Sequence, residues 1–252
     1  MTGSADSIGR QTAQSLVAAG HQVVLHARSE ERAEVALDAV PGAVDVIIGD
    51  LASIAQTRAL AEAAAKFGRF DAVVHNAGIS HSGRPARSVT GDGLEETFQV
   101  NVLAPYLLTA VMPLPQRLVY LTSGLESEGV ADLADLQYER RPWSGRQAYC
   151  DSKMYDVVLA FAIARRYPEV VSNAVDPGWI KTRMGGPDAT DELPEGAETQ
   201  IWLAVSEDST ALTTGRYLKR RRELAPNPAA RERGVQDALF AECARLTGIA
   251  LP

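Results

Sequence analysis

Short apolar runs alternate along the chain with alanine-rich stretches of helical period, and no other feature of the sequence restricts the fold as much. The runs are QVVLHA at 22–27, VDVIIG at 44–49, DAVVHNAG at 71–78, RLVYLTS at 117–123 and VVSNAVDPG at 170–178, with a shorter GRYLK at 215–219. Helical patterns lie between or beside them at Gly9–Ala19, about Gly93–Val111, 148–167 and about Ala229–Leu246. Strands separated by helices pair in parallel, because returning the chain to the same edge of a sheet takes a crossover, and a helix packed on the sheet face supplies it. The expected architecture is therefore α/β, a doubly wound parallel sheet. No linker divides the 252 residues and no solenoid-type repeat is visible, so one domain over 1–252 is expected.

Composition narrows the partners. A net charge of -7 gives no general attraction to nucleic acid or to an anionic membrane. The run Lys219-Arg220-Arg221-Arg222 reads as a solvated loop rather than a binding patch. Cys150 and Cys243 are too few and too far apart in sequence for a disulfide framework or a structural zinc site, and no metal site is expected. A reducing, cytoplasmic compartment is the simplest assignment, since the first residues are polar and no apolar run reaches the length of a membrane span.

The first ten residues, MTGSADSIGR, form a glycine-bearing loop running into a helix. Unpaired N–H groups and the positive end of the helix dipole can hold a pyrophosphate there without a basic side chain. Gly3 and Gly9 let the backbone approach closely, with Ser7 where a middle glycine might stand. Further along, Tyr149 and Lys153 are four residues apart, so a helix puts both on one face. A phenol is a reluctant acid–base group at neutral pH, and an ammonium beside it favours the phenolate and pulls its pKa down. That pair suits proton transfer.

Taken in order, TGSADSIG, the NAG at Asn76, Ala77 and Gly78, Asn101, Ser123, YCDSK at 149–153 and DPG at 176–178 resemble the short-chain dehydrogenase/reductase family over essentially the whole chain. The resemblance implies a Rossmann fold that binds NAD(P). The loop residues Gly3, Ser4, Ser7, Ile8 and Gly9 would hold the pyrophosphate, Asp50 and Leu51 would lie beside the adenine, and Asn76, Ala77 and Gly78 would line the cofactor site. Pro177, Gly178, Ile180 and Thr182 would border the nicotinamide. Tyr149 would be the proton donor or acceptor, with Ser123 on the substrate oxygen, Lys153 on the ribose hydroxyls and Asn101 in a water-linked relay.

The strand ending at His26-Ala27 carries no carboxylate for a ribose 2′-hydroxyl, and Arg28 follows at once, which favours NADP (NADPH) over NAD. His26 itself reads as packing. The implied reaction interconverts a ketone or aldehyde and an alcohol on a small-molecule substrate. The insert 124–147, with Leu133, Leu136, Tyr138 and Trp143, is similar to the retinol dehydrogenase and protochlorophyllide reductase branch and suggests a bulky apolar substrate, with Trp179, Ile180 and Met184 at its mouth. Dimers or tetramers of the chain are the assemblies the family implies. A catalytically idle dinucleotide-binding sensor or partner-binding module is the alternative, and the retained Ser123, Tyr149 and Lys153 count against it.

One departure from the family is large. Its members place an apolar strand ahead of the glycine loop, in the centre of the sheet, and this sequence opens at that junction. The expectation is a slot with unpaired backbone on both sides, destabilising by several kcal/mol unless filled, and a natural start that lies upstream.

Overall fold

The expected alternation forms two blocks of parallel sheet with a gap between them. The computed structural model describes residues 1–251. The chain opens with helix α1 (Ser7–Ala18), then β1 (Val24–Ala27), α2 (Glu30–Ala39), β2 (Asp45–Ile48), α3 (Ile54–Ala65) and β3 (Ala72–His75). A helical run follows in three parts: α4 (Glu96–Phe98), a π-helical turn (Gln99–Leu103) and α5 (Ala104–Val111). Next come β4 (Arg117–Leu121), α6 (Gly145–Arg166), β5 (Val171–Val175), α7 (Leu193–Val205), β6 (Tyr217–Lys219), β7 (Arg222–Glu223) and α8 (Arg233–Thr247). β1 pairs with β2, while β3, β4, β5, β6 and β7 form a second sheet in that order. All pairings are parallel except β6–β7.

Each strand is shorter than the apolar run that announced it, because the ends of the runs serve the loops: Asn76, Ala77 and Gly78 follow β3, and Asp176, Pro177 and Gly178 follow β5. The helix expected from Gly93 starts at Glu96, where the Glu95 carboxylate accepts from the N–H groups of Thr97 and Phe98 and caps it. The basic run is an exposed hairpin turn rather than an open loop. Lys219 ends β6, Arg222 opens β7, and Arg220 and Arg221 turn between them with φ of 48° and 59°. Their charges are met by Asp176 for Lys219, Asp191 and Glu195 for Arg220, and Glu198 for Arg221.

The central support is α6. Cys150, Met154, Val157, Val158 and Ile163 are all buried, and so are Asp151, Lys153 and Asp156 on other sides of the helix. A helix enclosed all round shows little amphipathic periodicity, and it is held from every direction. It packs against β4, β5, α8 and the 3-10 turn Gly124–Glu128. This fixes the face that carries Tyr149 and Lys153.

The gap is the expected slot. β1 and β3 share no hydrogen bond, and the first four residues stitch them together at one end. The Met1 amine donates to the Val24 carbonyl at 2.9 Å, Thr2 N–H to Val74 at 3.0 Å and Ser4 N–H to His26 at 3.2 Å. Beyond Met1 the two edges enclose a cavity of about 440 Å³ walled by apolar side chains, among them Leu25, Ile47, Leu60, Val73, Leu108 and Met112. The Met1 amine is buried there with no counter-ion among the described residues, and burial lowers its pKa from 8.0 to about 6.

Candidate functional site

At the other end of Met1–Ser4 lies a second cavity of about 440 Å³, and its wall joins the loop before α1 to Tyr149 and Lys153 of α6. The loop is built by close contacts. Gly3 sits at φ 62°, and a Cβ on Gly9 would lie 2.2 Å from the Gly3 carbonyl oxygen and 2.5 Å from Asn76 Nδ2. Only glycine fits at position 9. Asn76 Nδ2 donates to the carbonyls of Thr2 at 2.9 Å and Gly3 at 3.2 Å, while Thr2 Oγ1 accepts from the Asn76 and Ala77 N–H groups at 2.9 and 3.0 Å. The NAG motif is thus the clamp of the glycine loop.

His26, read from sequence as packing, is the loop's other anchor. Gly3 N–H donates to His26 Nδ1 at 2.9 Å, so the ring proton is on Nε2, which donates to the Gly49 carbonyl at 2.8 Å. Burial lowers its pKa to about 4 and keeps the ring neutral. Ser4 is buried with the same anchor: its hydroxyl accepts from His26 N–H at 2.8 Å, so it holds the loop to β1 from outside the cavity wall.

Asp6 caps α1 by accepting from Ser7 N–H at 2.8 Å, and Arg32 meets its other oxygen at 3.3 Å. Ser7 adopts φ 48°, a left-handed conformation in which a side chain is strained. The N–H groups of Ile8 and Gly9 have no partner inside the helix and open on the cavity. Arg28 is exposed at the end of β1, on the wall with Asp50, Leu51 and Ala52. A rim with two free helix N–H groups, no room for a Cβ at Gly9 and an arginine at the strand end fits a dinucleotide phosphate chain.

The reacting end is on α6 and the ends of β3, β4 and β5. Tyr149, Lys153, Gly78, Pro177 and Thr182 line the same cavity. Lys153 Nζ lies 5.8 Å from the centre of the Tyr149 ring, donates to the Leu121 carbonyl at 2.9 Å and to Asp156 Oδ2 at 2.8 Å. Burial pushes the Tyr149 hydroxyl above its ordinary range, the Lys153 charge and the neighbouring Ser123 hydroxyl pull it back down, and Asp156 adds a further push upward. The expected pull of Lys153 is therefore present, yet burial outweighs it and the net direction is upward.

Asn101 stands in the π-helical turn, where the widened helix aims its amide at the loop after β3. Its Oδ1 accepts from Ile79 N–H at 2.8 Å and its Nδ2 donates to the Ile79 carbonyl and to Ser152 Oγ, both at 2.9 Å. Asn101 thus fixes the NAG loop against α6. Ser123 lies two residues beyond β4, where it caps the 3-10 turn: its hydroxyl accepts from Leu125 N–H at 3.3 Å, and it is not among the residues on the cavity wall.

Gly178, at φ 99°, would put a Cβ 2.3 Å from Asp191 Oδ2. Ile180 is buried against Gly196 of α7, away from the cavity wall, while Met184 is on that wall. Trp179 is half exposed and donates to the Gly185 carbonyl at 2.8 Å. The insert lies elsewhere: Tyr138 and Arg141 both bind Asp151 of α6, at 2.7 and 2.8 Å, and Leu136 is buried. None of the four insert residues singled out in the sequence lines the cavity.

A nucleotide-type rim joined to a tyrosine–lysine pair is the arrangement of a dinucleotide-dependent oxidoreductase. Residues 3–208 match a family model described as enoyl-(acyl carrier protein) reductase. The short-chain dehydrogenase chyC of Penicillium rubens is 38% identical over 255 residues, covering 100% of this chain and 98% of its own. Human retinol dehydrogenase 13 is 32% identical over 287 residues, covering 100% of this chain and 85% of its own. A blue fluorescent protein from a metagenomic library, solved in complex with NADPH, superposes with a TM-score of 0.70 at 26% identity over 86% of this chain and 93% of that one. The chain belongs to the short-chain dehydrogenase/reductase family.

Proposed function

We propose that this protein is an NADP(H)-dependent reductase or dehydrogenase that interconverts a ketone or aldehyde and an alcohol, with Tyr149 as the proton donor and acceptor. The observation that carries it is one cavity whose wall runs from Gly3, Ser7, Ile8, Gly9 and Arg28 to Tyr149 and Lys153. The loop residues would hold the pyrophosphate, Arg28 the 2′-phosphate, Asp50 and Leu51 the adenine side, and Pro177 and Thr182 the nicotinamide side. Bound there, the cofactor supplies the hydride that the chain itself lacks. Tyr149 gives its hydroxyl proton to the substrate oxygen as negative charge develops there, and Ser123 adds a second hydrogen bond to the same atom. Lys153 keeps a positive charge beside the phenol as it loses the proton.

Ile79, Val100 and Met184 on the cavity wall support an apolar substrate, and the relative named as a retinol dehydrogenase is consistent with a bulky one. Cys150 and Cys243, both free thiols, support a cytoplasmic location, and a homodimer or homotetramer is the assembly we assign by family. The test is Tyr149→Phe against a panel of aromatic and aliphatic ketones. It should lower kcat by at least ~100-fold while NADPH binding, read by tryptophan fluorescence, stays nearly unchanged. Full activity in the variant rejects Tyr149 as the acid, and NADPH binding by the wild type with no turnover on any ketone favours the idle binding module. The same assay run with NADH reads the cofactor preference.

A further inference from the structure

The mechanism above leaves one buried charge on α6 without a task. Asp156 is one turn beyond Lys153, only 4% of its side chain is exposed, and Lys153 is the one hydrogen-bond partner of its carboxylate among the described residues. An ammonium has three N–H donors. Two of those on Lys153 are taken, by Leu121 and Asp156, so the side chain is tethered between the end of β4 and its own helix rather than extended toward the phenol. A buried carboxylate is retained only where a partner offsets the loss of water, and here that partner is the charge on which Tyr149 depends.

We propose that Asp156 is a positioning residue: it tethers the Lys153 ammonium and offsets part of its pull on the Tyr149 hydroxyl, so the resting site keeps that hydroxyl protonated and ready to donate. This rests on the reading of Tyr149 as the acid. The site is poised for reduction, in which the enzyme gives a proton; in oxidation Lys153 must act against the carboxylate.

Few other charges compete. The elements packed on α6 bring Glu126 and Glu128 from the 3-10 turn, Arg117 and Tyr120 from β4, Glu96 from α4, Arg231 from the turn before α8, and Arg233, Asp237, Glu242, Cys243 and Arg245 from α8. Arg117 pairs with Glu207, Asp237 with Arg165 and Arg166, and Glu242 with Arg245. β5 and the π-helical turn bring no titratable side chain. Glu128 is paired with Arg146, Glu96 binds His81 and Ser88, and Arg231 lies over the Phe161 ring. On α6 itself Cys150 is the remaining titratable neighbour of Tyr149. Burial holds Tyr120 and Cys243 neutral, and Glu126 binds Asn227.

The experiment titrates the phenol in the cofactor-free protein by phenolate absorbance, each spectrum taken against its Tyr149→Phe counterpart to isolate one tyrosine. Asp156→Asn, which keeps the shape and an acceptor, should bring phenolate formation down by roughly one pH unit, a tenfold change in the ionisation constant. In ketone reduction the alkaline limb of kcat should move the same way with KM for the ketone little changed. An unmoved titration in a variant that melts like the wild type overturns the proposal and leaves Asp156 a structural residue.

Should Asp156→Asn not fold, carbon-13 spectra of the wild type labelled at the tyrosine ring and at aspartate carboxyls decide it: the Tyr149 ring signal should follow protonation of Asp156, and a flat signal overturns the proposal. A ketone panel without turnover sinks the enzyme reading, whereas a shifted phenolate titration still supports this placement of Asp156.

Discussion

The two sides of the nucleotide cavity are secured in opposite ways. On the α6 side, Tyr149 and Lys153 ride a 22-residue helix enclosed by β4, β5 and α8, and Lys153 is tied to the end of β4. On the β1 side, the glycine loop depends on Met1–Ser4, the Asn76 clamp and His26, next to a slot where two strand edges have no partner. Packing that surrounds an element makes local opening as costly as global unfolding, whereas a loop held by a few hydrogen bonds beside a cavity opens far more cheaply. The chemistry end is therefore the rigid part, and the phosphate end is where stability and cofactor affinity are most readily changed.

Filling the slot should have the largest effect. Five alternating valine and isoleucine residues fused ahead of Met1 would give β1 and β3 a partner and bury side chains worth roughly 1.5–3 kcal/mol each before the entropy of ordering them is subtracted. A net gain of several kcal/mol is expected, or about 10 °C or more in Tm, against a glycine–serine extension of equal length. The same fusion turns the Met1 amine into a neutral amide. In the unfused protein that amine has a folded pKa of about 6 against 8.0 in the open chain, so stability is full above pH 8 and falls as pH drops toward 6, where the unfolded chain takes up the proton first. Denaturant melts between pH 6 and 8 should show that slope only without the extension, and equal Tm for the two extensions would mean the slot does not accept a strand.

Acid should then weaken the phosphate side. The folded pKa of His26 is depressed to about 4 from 6.5, so its contribution is present above pH 6.5 and is lost as pH falls toward 4, on the order of 3 kcal/mol. His75, buried beside Tyr120 with its pKa lowered to about 3, adds to the same slope. His26→Gln should remove about half of the acid slope in denaturant melts and weaken NADPH binding at neutral pH through the lost Gly3 anchor. A slope unchanged by the substitution would exclude His26 as its source.

The same division decides what could be read from the sequence. The alternation, the glycine loop and the Tyr149–Lys153 spacing are local patterns, and they lead to the parallel pairing of the sheet and to residues on one wall of the cavity. The slot was legible as well, because a loop of that kind needs a strand ahead of it. α7 was not anticipated: its start carries Glu192 and Glu195 as a capping box rather than a serine or threonine, and Gly196 near its beginning reads as a breaker. Gly196 is there because Ile180 packs on it, a contact that no sequence window contains. His26 and Asp156 escaped for a related reason. Each is a polar residue whose partner is brought close by folding, Gly3 from 23 residues away in one case and, in the other, a lysine already assigned to the cofactor. A signal did exist for Asp156, since position i+3 on a helix faces the same side as Lys153.

The smallest expected effect tests whether the phosphate loop is strained as well as lightly held. Ser7 sits at φ 48°, where a residue with a Cβ pays roughly 1–2 kcal/mol, while glycine gives back part of that through its freer unfolded state. Ser7→Gly should therefore stabilise the protein by roughly 0.5–1 kcal/mol, a shift of a few degrees or less in Tm. Because Ser7 N–H is already used by Asp6, the gain should come from the backbone and not from any change in the α1 cap. NADPH affinity separates the two uses of this position. An unchanged dissociation constant means the serine hydroxyl contributes nothing to the phosphate, whereas a loss of a few fold means the strain is kept because the hydroxyl binds. A drop in Tm would show that the left-handed turn is held by something other than the bonds described here.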